Sequence, residues 1–288
     1  MNALSQTIIS GLFGGAVYAL LGIGLVLVYR TSHVLNLAHG ESYAVAGITA
    51  AAATSHGLPL AWSIVLALVL SGLFSVALYR VVLGPRGHWP MSTLVLITLG
   101  AAFLVRGVLN AAIGPDPVSF APLFRGPPLR ILGGIIPLQG LMLIIFGFVL
   151  SLGAAMFLQH SRLGKQLLAT AENPRAAQLL GINVERARLI AFGLSGLLAG
   201  AAAVLLVPLV SVDYQAGLSM TLRGFVAAAI GGMMPTRVVV SGFLLGIFEA
   251  AIGSYLGALY QDPVMFGILI VVAVWQSRMI RFGGARRA

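Results

Sequence analysis

Cysteine is absent from the 288 residues, and acidic side chains number only seven. The first absence excludes disulfides, thiol catalysis and Cys-ligated metal sites. The second, in a chain with 59% hydrophobic and 8% charged residues, excludes a water-exposed globular surface, which usually carries about 25% charged residues. A GxxxxGK[ST] loop is missing, so the chain is not expected to bind ATP itself. No HExxH or comparable metal-ligand spacing occurs among the five His residues. A Gly-x-Ser run at Gly193–Ser195 sits inside an apolar stretch with no base nearby in sequence, which disfavours a hydrolase. The expectation is a protein that is not an enzyme and has no metal or cofactor of its own.

What is present is hydrophobic length. Mean hydropathy is +1.02, and several runs reach the ~20 apolar residues that cross a bilayer core. The chain reads as an all-α, polytopic integral membrane bundle. Spans are placed near 7–29, 34–54, 61–80, 91–113, 138–158, 189–210, a short one at 221–234, then 238–257 and 264–280, eight to nine segments in all. The 36 glycines suit close helix packing in lipid. The start, MNALSQ, lacks the positive n-region of a signal peptide, so the first apolar stretch is expected to remain as a membrane helix.

The excess of 17 basic over seven acidic residues fits cytoplasmic loops facing anionic lipid better than nucleic acid, because no basic-aromatic surface stands outside the apolar runs. Arg162, Lys165, Arg175, Arg186 and Arg188 place the 159–188 loop in the cytoplasm. Alternation then puts the N-terminus and the 114–137 loop outside, and Arg30, Arg80, Arg86, Arg237 and the tail with Arg278, Arg281, Arg286 and Arg287 inside. Arg125 and Arg130 run against this rule. The Pro- and Gly-rich 114–137 loop divides a single transmembrane domain, 1–288, into halves 1–113 and 138–288. Each half holds one Glu within an apolar span, Glu41 and Glu249, a faint echo of a two-half pseudo-repeat.

Residues 164–188, GKQLLATAENPRAAQLLGINVERAR, interrupt the apolar chain. Asn173 followed by Pro174 starts a helix: Asn accepts from free backbone N–H groups, and Pro sits where its missing N–H costs nothing. Gly181 supplies a left-handed stop. The helix between is about two turns, roughly 10 Å, and is too short to stand alone in water. Ala176, Ala177, Leu179 and Leu180 give it a small apolar surface. On physical grounds alone, a groove on a partner protein and the lipid interface both accommodate it, although a lipid-resting helix calls for a bulkier apolar face and a Lys-rich polar one.

Three segments in order resemble one family. GKQLLATAENPRAAQLLGINVERARLIAFGLSGLLAG is similar to the cytoplasmic loop and following helix of the LivH-like branched-chain amino acid ABC importer permeases. VLNLAHGESYAVAG resembles that family's second span, and AAAIGGMMPTRVVVSGFLLGIFEA its penultimate region. The resemblance implies a coupling helix within 164–181 that docks on an ATPase subunit, with Ala171, Glu172, Asn173, Pro174, Ala177, Leu180, Gly181 and Ile182 on the matching motif. It further implies a second permease subunit, identical or homologous, two cytoplasmic ATPases carrying ATP and Mg, and an external substrate-binding protein. The implied setting is a bacterial inner membrane and the implied action is inward transport by alternating access. Branched-chain amino acids lead as substrate, with urea, amides and other small polar solutes as alternatives. One departure stands out, Met233–Met234 where small, Gly-rich residues are expected.

Ionisable groups at membrane depth are costly and face cavities or one another. The 34–54 span places His39 and Glu41 in its first two helical turns. Asn36, His39, Glu41 and Glu249 are candidates for the pathway or a gate, and internal pairing is an equal reading for the two Glu. Pairing is favoured for Arg106 and Arg223, with no sequence basis for naming partners. A rival from another class is a self-sufficient secondary transporter using Glu41 or Glu249 as its ion site.

Overall fold

A computed structural model describes residues 3–86, 89–131 and 133–284, with side chains described except at 131, 273 and 275–284. Arg278 and Arg281 are therefore outside the described side chains, and Arg286 and Arg287 outside the described residues. The chain is helical: α1 (Ala3–Ser32), α2 (Glu41–Ser55), α3 (Leu60–Ala77), α4 (Met91–Ile113), α5 (Leu138–His160), α6 (Arg162–Glu172), α7 (Pro174–Leu179), α8 (Val184–Leu206), α9 (Ala216–Ile230), α10 (Pro235–Tyr255) and α11 (Gln261–Gly284). A π-helical turn, Leu78–Leu83, and a 3-10 turn extend α3 to Arg86. The 114–137 loop holds the only sheet among the described residues, a hairpin of β1 (Leu129–Ile131) and β2 (Gly134–Ile136). Among the described residues six helices are long and apolar enough to cross a membrane: α1, α3 with its extension, α4, α5, α8 and α10.

Helix α1 is the axis. It is apolar all round and almost continuously buried from Gly15 to Val28, the pattern of a helix enclosed by others. Its tightest neighbour is α10. A Cβ at Gly246 would lie 2.2 Å from the Gly15 nitrogen, and one at Gly11 2.5 Å from the Ile247 Cα. Only glycine permits that backbone approach, which substitutes dispersion contact for the missing water-driven force.

Direction follows from which residues meet. Gly11, Gly15 and Gly22 of α1 face Ile247, Phe243 and Val238 of α10 in turn, so α10 runs antiparallel to α1. The start of α8 lies at the end of α1, where Arg188 Nε donates to the Thr31 carbonyl at 3.1 Å, so α8 also opposes α1. On α8, Gly193 and Gly200 face Val76 and Leu68 of α3, making α3 parallel to α1. Since α1 and α3 run the same way, residues 33–59 must carry the chain back through the bundle. The same holds for 207–234 between α8 and α10.

Both returns are broken. In the first, residues 33–36 are not helical and 37–40 form a turn before the 15-residue α2. In the second, 207–215 are irregular before the 15-residue α9. A helix of 15 residues spans about 22 Å, short of a ~30 Å hydrocarbon core. The expectation of a continuous helix over 34–54 is thus corrected: Asn36 and His39 lie on non-helical chain, and Glu41 is the first residue of α2. Irregular backbone at this depth is tolerated where protein buries it and supplies its hydrogen bonds.

Candidate functional site

The first return is pinned at mid-depth by polar side chains. His39 is buried, with Nε2 3.1 Å from the Leu21 carbonyl. A carbonyl only accepts, so Nε2 carries the proton and Nδ1 accepts from the Ser195 hydroxyl at 3.0 Å. One ring therefore ties the non-helical run to α1 and α8. Asn36, also buried, turns its Oδ1 onto the Ala38 N–H at 3.0 Å. The Leu37 N–H donates to Thr98 Oγ1 of α4 at 3.1 Å, and the Gly40 N–H to Thr221 Oγ1 of α9 at 2.7 Å.

The starts of α2 and α9 meet here. A Cβ on Gly40 would fall 2.0 Å from the Gly217 carbonyl, and one on Gly217 2.3 Å from the Glu41 carboxyl. Glu41, wholly buried, therefore sits at the amino end of α2 and against the amino end of α9, where the helix dipoles favour an anion. Its Oε1 accepts from Arg106 Nε of α4 at 2.9 Å. Its Oε2 and Arg106 Nη2 make no hydrogen bond.

A second cluster forms around Arg223 of α9. Its Nε donates to Glu249 Oε1 of α10 at 2.8 Å, one Nη donates to Asp262 of α11 at 2.8 Å, and the other donates to Ser219 one turn back. Glu249 Oε2 makes no hydrogen bond. Arg223 borders two spaces, and a third adjoins them. One, between α9, α4 and α11, includes Arg106 and Asp262. A second, of about 580 Å³, holds Tyr18, Asp213 and Met220. A third, of about 330 Å³, shares Ser10, Gly14 and Tyr18 with the second and is lined by Glu249. Arg106 and Arg223 are thus both ion-paired, whereas Asn36, His39 and Glu41 gather at the meeting of α2 and α9, and Glu249 stands in the other cluster.

At the end of the bundle where α1 finishes and α8 begins lies the polar hairpin. Ser161 caps α6 by accepting from the Gly164 N–H at 2.9 Å, and Asn173 caps α7 by accepting from the Ala176 N–H at 3.0 Å. Pro174 is the first residue of α7, and Gly181 closes it with φ +79°. The short helix expected between Asn173 and Gly181 is α7, and the residues before it form a second helix, α6. The expected docking face is corrected. Ala171 and Ala177 are buried inside the hairpin, while Leu179 and Leu180 are 90% and 78% exposed. Glu172 and Arg175 are also exposed, and Ile182 is half-buried, its N–H donating to the Ala177 carbonyl at 3.0 Å.

A model of the family described as branched-chain amino acid transport system / permease component matches residues 7–274. The chain belongs to that permease family. It is 28% identical over 283 residues to the high-affinity branched-chain amino acid transport system permease protein LivH of Escherichia coli K12, covering 93% of this chain and 92% of the relative. Identity to BraD of Pseudomonas aeruginosa is 28% over 286 residues, covering 94% and 93%. The ribose import permease protein RbsC of Escherichia coli K12 is also 28% identical, over 290 residues, covering 95% of this chain and 83% of that one. The solved structure "PsaBC from Streptococcus pneumoniae in complex with Fab" superposes with a TM-score of 0.50 at 16% identity, covering 94% of this chain and 91% of that one, a likeness of fold alone.

Several partners in this permease escape a reading of the sequence. Ser195 on His39, Thr98 and Thr221 on the first return, and Gly217 under Glu41 lie 61 to 181 residues from what they touch. The only local hint was an amphipathic one, small hydroxyl residues inside otherwise apolar spans.

Proposed function

We propose that this permease is one of two membrane subunits of an ABC importer in a bacterial inner membrane, moving a branched-chain amino acid inward by alternating access. The observation that carries this reading is the α6–α7 hairpin. It is anchored on α1, α5 and α8, yet turns Leu179 and Leu180 outward amid polar residues. Exposed leucines on a hairpin that also exposes Glu172 and Arg175 suit a groove on a cytoplasmic ATPase better than lipid. ATP and Mg then belong to the partners, and this chain, a single transmembrane domain, supplies the path and the lever. A second permease subunit and an external binding protein complete the assembly.

Orientation follows with the hairpin inside. Arg30, Arg80, Arg86 and Arg237 lie at its end of the bundle; Asp116, Arg125, Arg130, Asp213 and Asp262 lie at the other, which faces outward with the N-terminus. Counting the two broken returns and α11, the chain passes through the bilayer nine times and its C-terminus is cytoplasmic. The pseudo-repeat in this reading is α1–α3 against α8–α10. Each is a long helix, an irregular run of eight or nine residues, a 15-residue helix, a four-residue turn and a long helix, and the two run in opposite directions. Such inverted units support rocking about a mid-depth centre. Glu41 and Glu249 are then not equivalent, since one opens a short helix and the other sits mid-way along a long one.

The test uses the co-expressed complex. Leu179→Asp with Leu180→Asp is expected to abolish co-purification of the ATPase subunit and ATP-driven leucine uptake, with membrane insertion unchanged. Ala177, buried, is unsuitable for this purpose because a charge there would break the hairpin itself. Uptake by the purified chain alone under a proton gradient would sink the ABC reading in favour of an ion-coupled transporter. Uptake of ribose rather than leucine by the complete complex, in line with the likeness to a ribose permease, would retain the machine and change the substrate.

A further inference from the structure

The two arginine clusters are not equally balanced. Arg106 faces one carboxylate, Glu41, in a site closed by Gly40 and Gly217. Arg223 faces two, Glu249 and Asp262, each at 2.8 Å, so one negative charge is left over, and Asp213 on the adjoining wall adds another. Of the two partners Glu249 is the buried one, 7% exposed, and its Oε2 lacks any hydrogen bond. A buried carboxylate oxygen without a donor is costly, and it borders a cavity of about 330 Å³, within the ~300–1,000 Å³ of small-molecule sites.

The walls define what fits. Around Glu249 they are made of small and polar residues, Ser10, Gly14, Ser254 and the amide of Gln261, which leave room for a compact donor group. Through Ser10, Gly14 and Tyr18 this space joins the larger one, whose far side is aliphatic and aromatic: Phe13, Leu206, Val210 and Met220. A ligand with a positively charged donor at one end and an apolar body at the other matches both. The guanidinium of Arg223 is already engaged on Nε and both terminal nitrogens, so the cluster offers an acceptor and not a second anion site.

We infer that the cavity beside Glu249 binds a primary ammonium group carried on an aliphatic body, as a branched-chain amino acid presents, with Glu249 Oε2 as its acceptor. This rests on the amino-acid reading of the function for its natural ligand, while the ammonium chemistry stands on the cluster alone.

Because the chain has no cysteine, Ser10→Cys introduces a single thiol in an exposed residue that lines both spaces. In membranes containing the full complex, a cationic methanethiosulfonate is expected to label it ~10-fold faster than an anionic one of matched size, as field focusing in a negatively charged cleft requires. Leucinamide, which keeps the ammonium and lacks the carboxylate, is expected to slow labelling, and isocaproate, which lacks the ammonium, to leave it unchanged. Adding Glu249→Gln should bring the cation preference to within ~2-fold and remove protection. Glu249→Asp, which keeps the charge, should retain the preference, and it serves if the Gln variant fails to accumulate. Equal labelling by the two reagents, protection by isocaproate, or a preference unaltered by Glu249→Gln overturns the site. Failure of the function reading looks different: no leucine uptake by the complex, with leucinamide protection intact.

Discussion

The two return segments, 33–59 and 207–234, are built alike and charged oppositely. Each follows a long helix, runs irregularly to mid-depth and continues as 15 helical residues. The first brings in a carboxylate, Glu41, at the opening of α2; the second brings in a guanidinium, Arg223, half-way along α9. Each is neutralised from outside the return, Glu41 by Arg106 of α4 and Arg223 by Glu249 and Asp262 of α10 and α11. Their surroundings differ more than their backbones do. Glu41 is fully buried between two helix starts, whereas Arg223 borders two open spaces and its partner Glu249 a third. The first reads as a fixed joint and the second as a surface left available to a solute.

Glu41→Leu attacks the joint directly. It removes the carboxylate that pairs with Arg106 and leaves a guanidinium 14% exposed beside two helix starts whose dipoles repel it. Breaking a buried pair by removing one member costs roughly 3–5 kcal/mol. The expected outcome is a large drop in melting temperature of the detergent-solubilised chain. The double variant Glu41→Leu, Arg106→Leu should recover most of that loss, since no uncompensated charge remains. If the double variant is no more stable than the single, the pair is not what holds the joint.

Such a joint shows how unevenly the sequence discloses the molecule. Spans α1, α3, α4, α5, α8 and α10 were legible because apolar length is a local quantity, and the α7 cap was legible because Asn173, Pro174 and Gly181 act within a few residues of one another. The break at 33–40 was not. VLNLAHG is apolar enough to extend a span, and hydropathy does not distinguish a helix from irregular chain buried in protein. What breaks the helix is tertiary: Ser195 on His39, Thr221 on Gly40 and Gly217 making room for Glu41. Arg106 and Arg223 could be marked as paired in principle, yet their partners sit 65, 26 and 39 residues away. The face of α7 misled for a related reason. Ala177 reads as docking surface in the sequence because nothing local shows that α6 folds back against α7.

The turns that end the two returns invite a second, smaller test. The first turns through Gly57 at φ +84°, a conformation glycine adopts freely. The second turns through Gly232 at φ +61° and then Met233 at φ +56°, held by its N–H on the Ala228 carbonyl at 2.9 Å. A non-glycine residue there carries a steric cost of about 1–2 kcal/mol. This is the physical content of the departure noticed at Met233–Met234. Met233→Gly is expected to raise stability by ~1 kcal/mol or less, the steric gain being offset by the greater entropy of an unfolded glycine. A lowered melting temperature would mean that packing of the Met233 side chain against the Ile23–Val26 cluster outweighs the strain it imposes.

The smallest effect should come from the open cluster. Asp262 is 64% exposed, so its attraction to Arg223 is screened by solvent and adds less than ~1 kcal/mol. Asp262→Asn is therefore expected to leave the melting temperature within a few degrees of the parent chain. Its value lies in transport, because Arg223 would then pair with Glu249 alone and the cluster would lose one negative charge. If Glu249 accepts an ammonium group from the solute, leucine uptake by the complex should fall in affinity more than in maximal rate. If the cluster only fastens α9 to α10 and α11, affinity and rate should both stay as they were. Either result separates a solute-facing second return from a mere duplicate of the first.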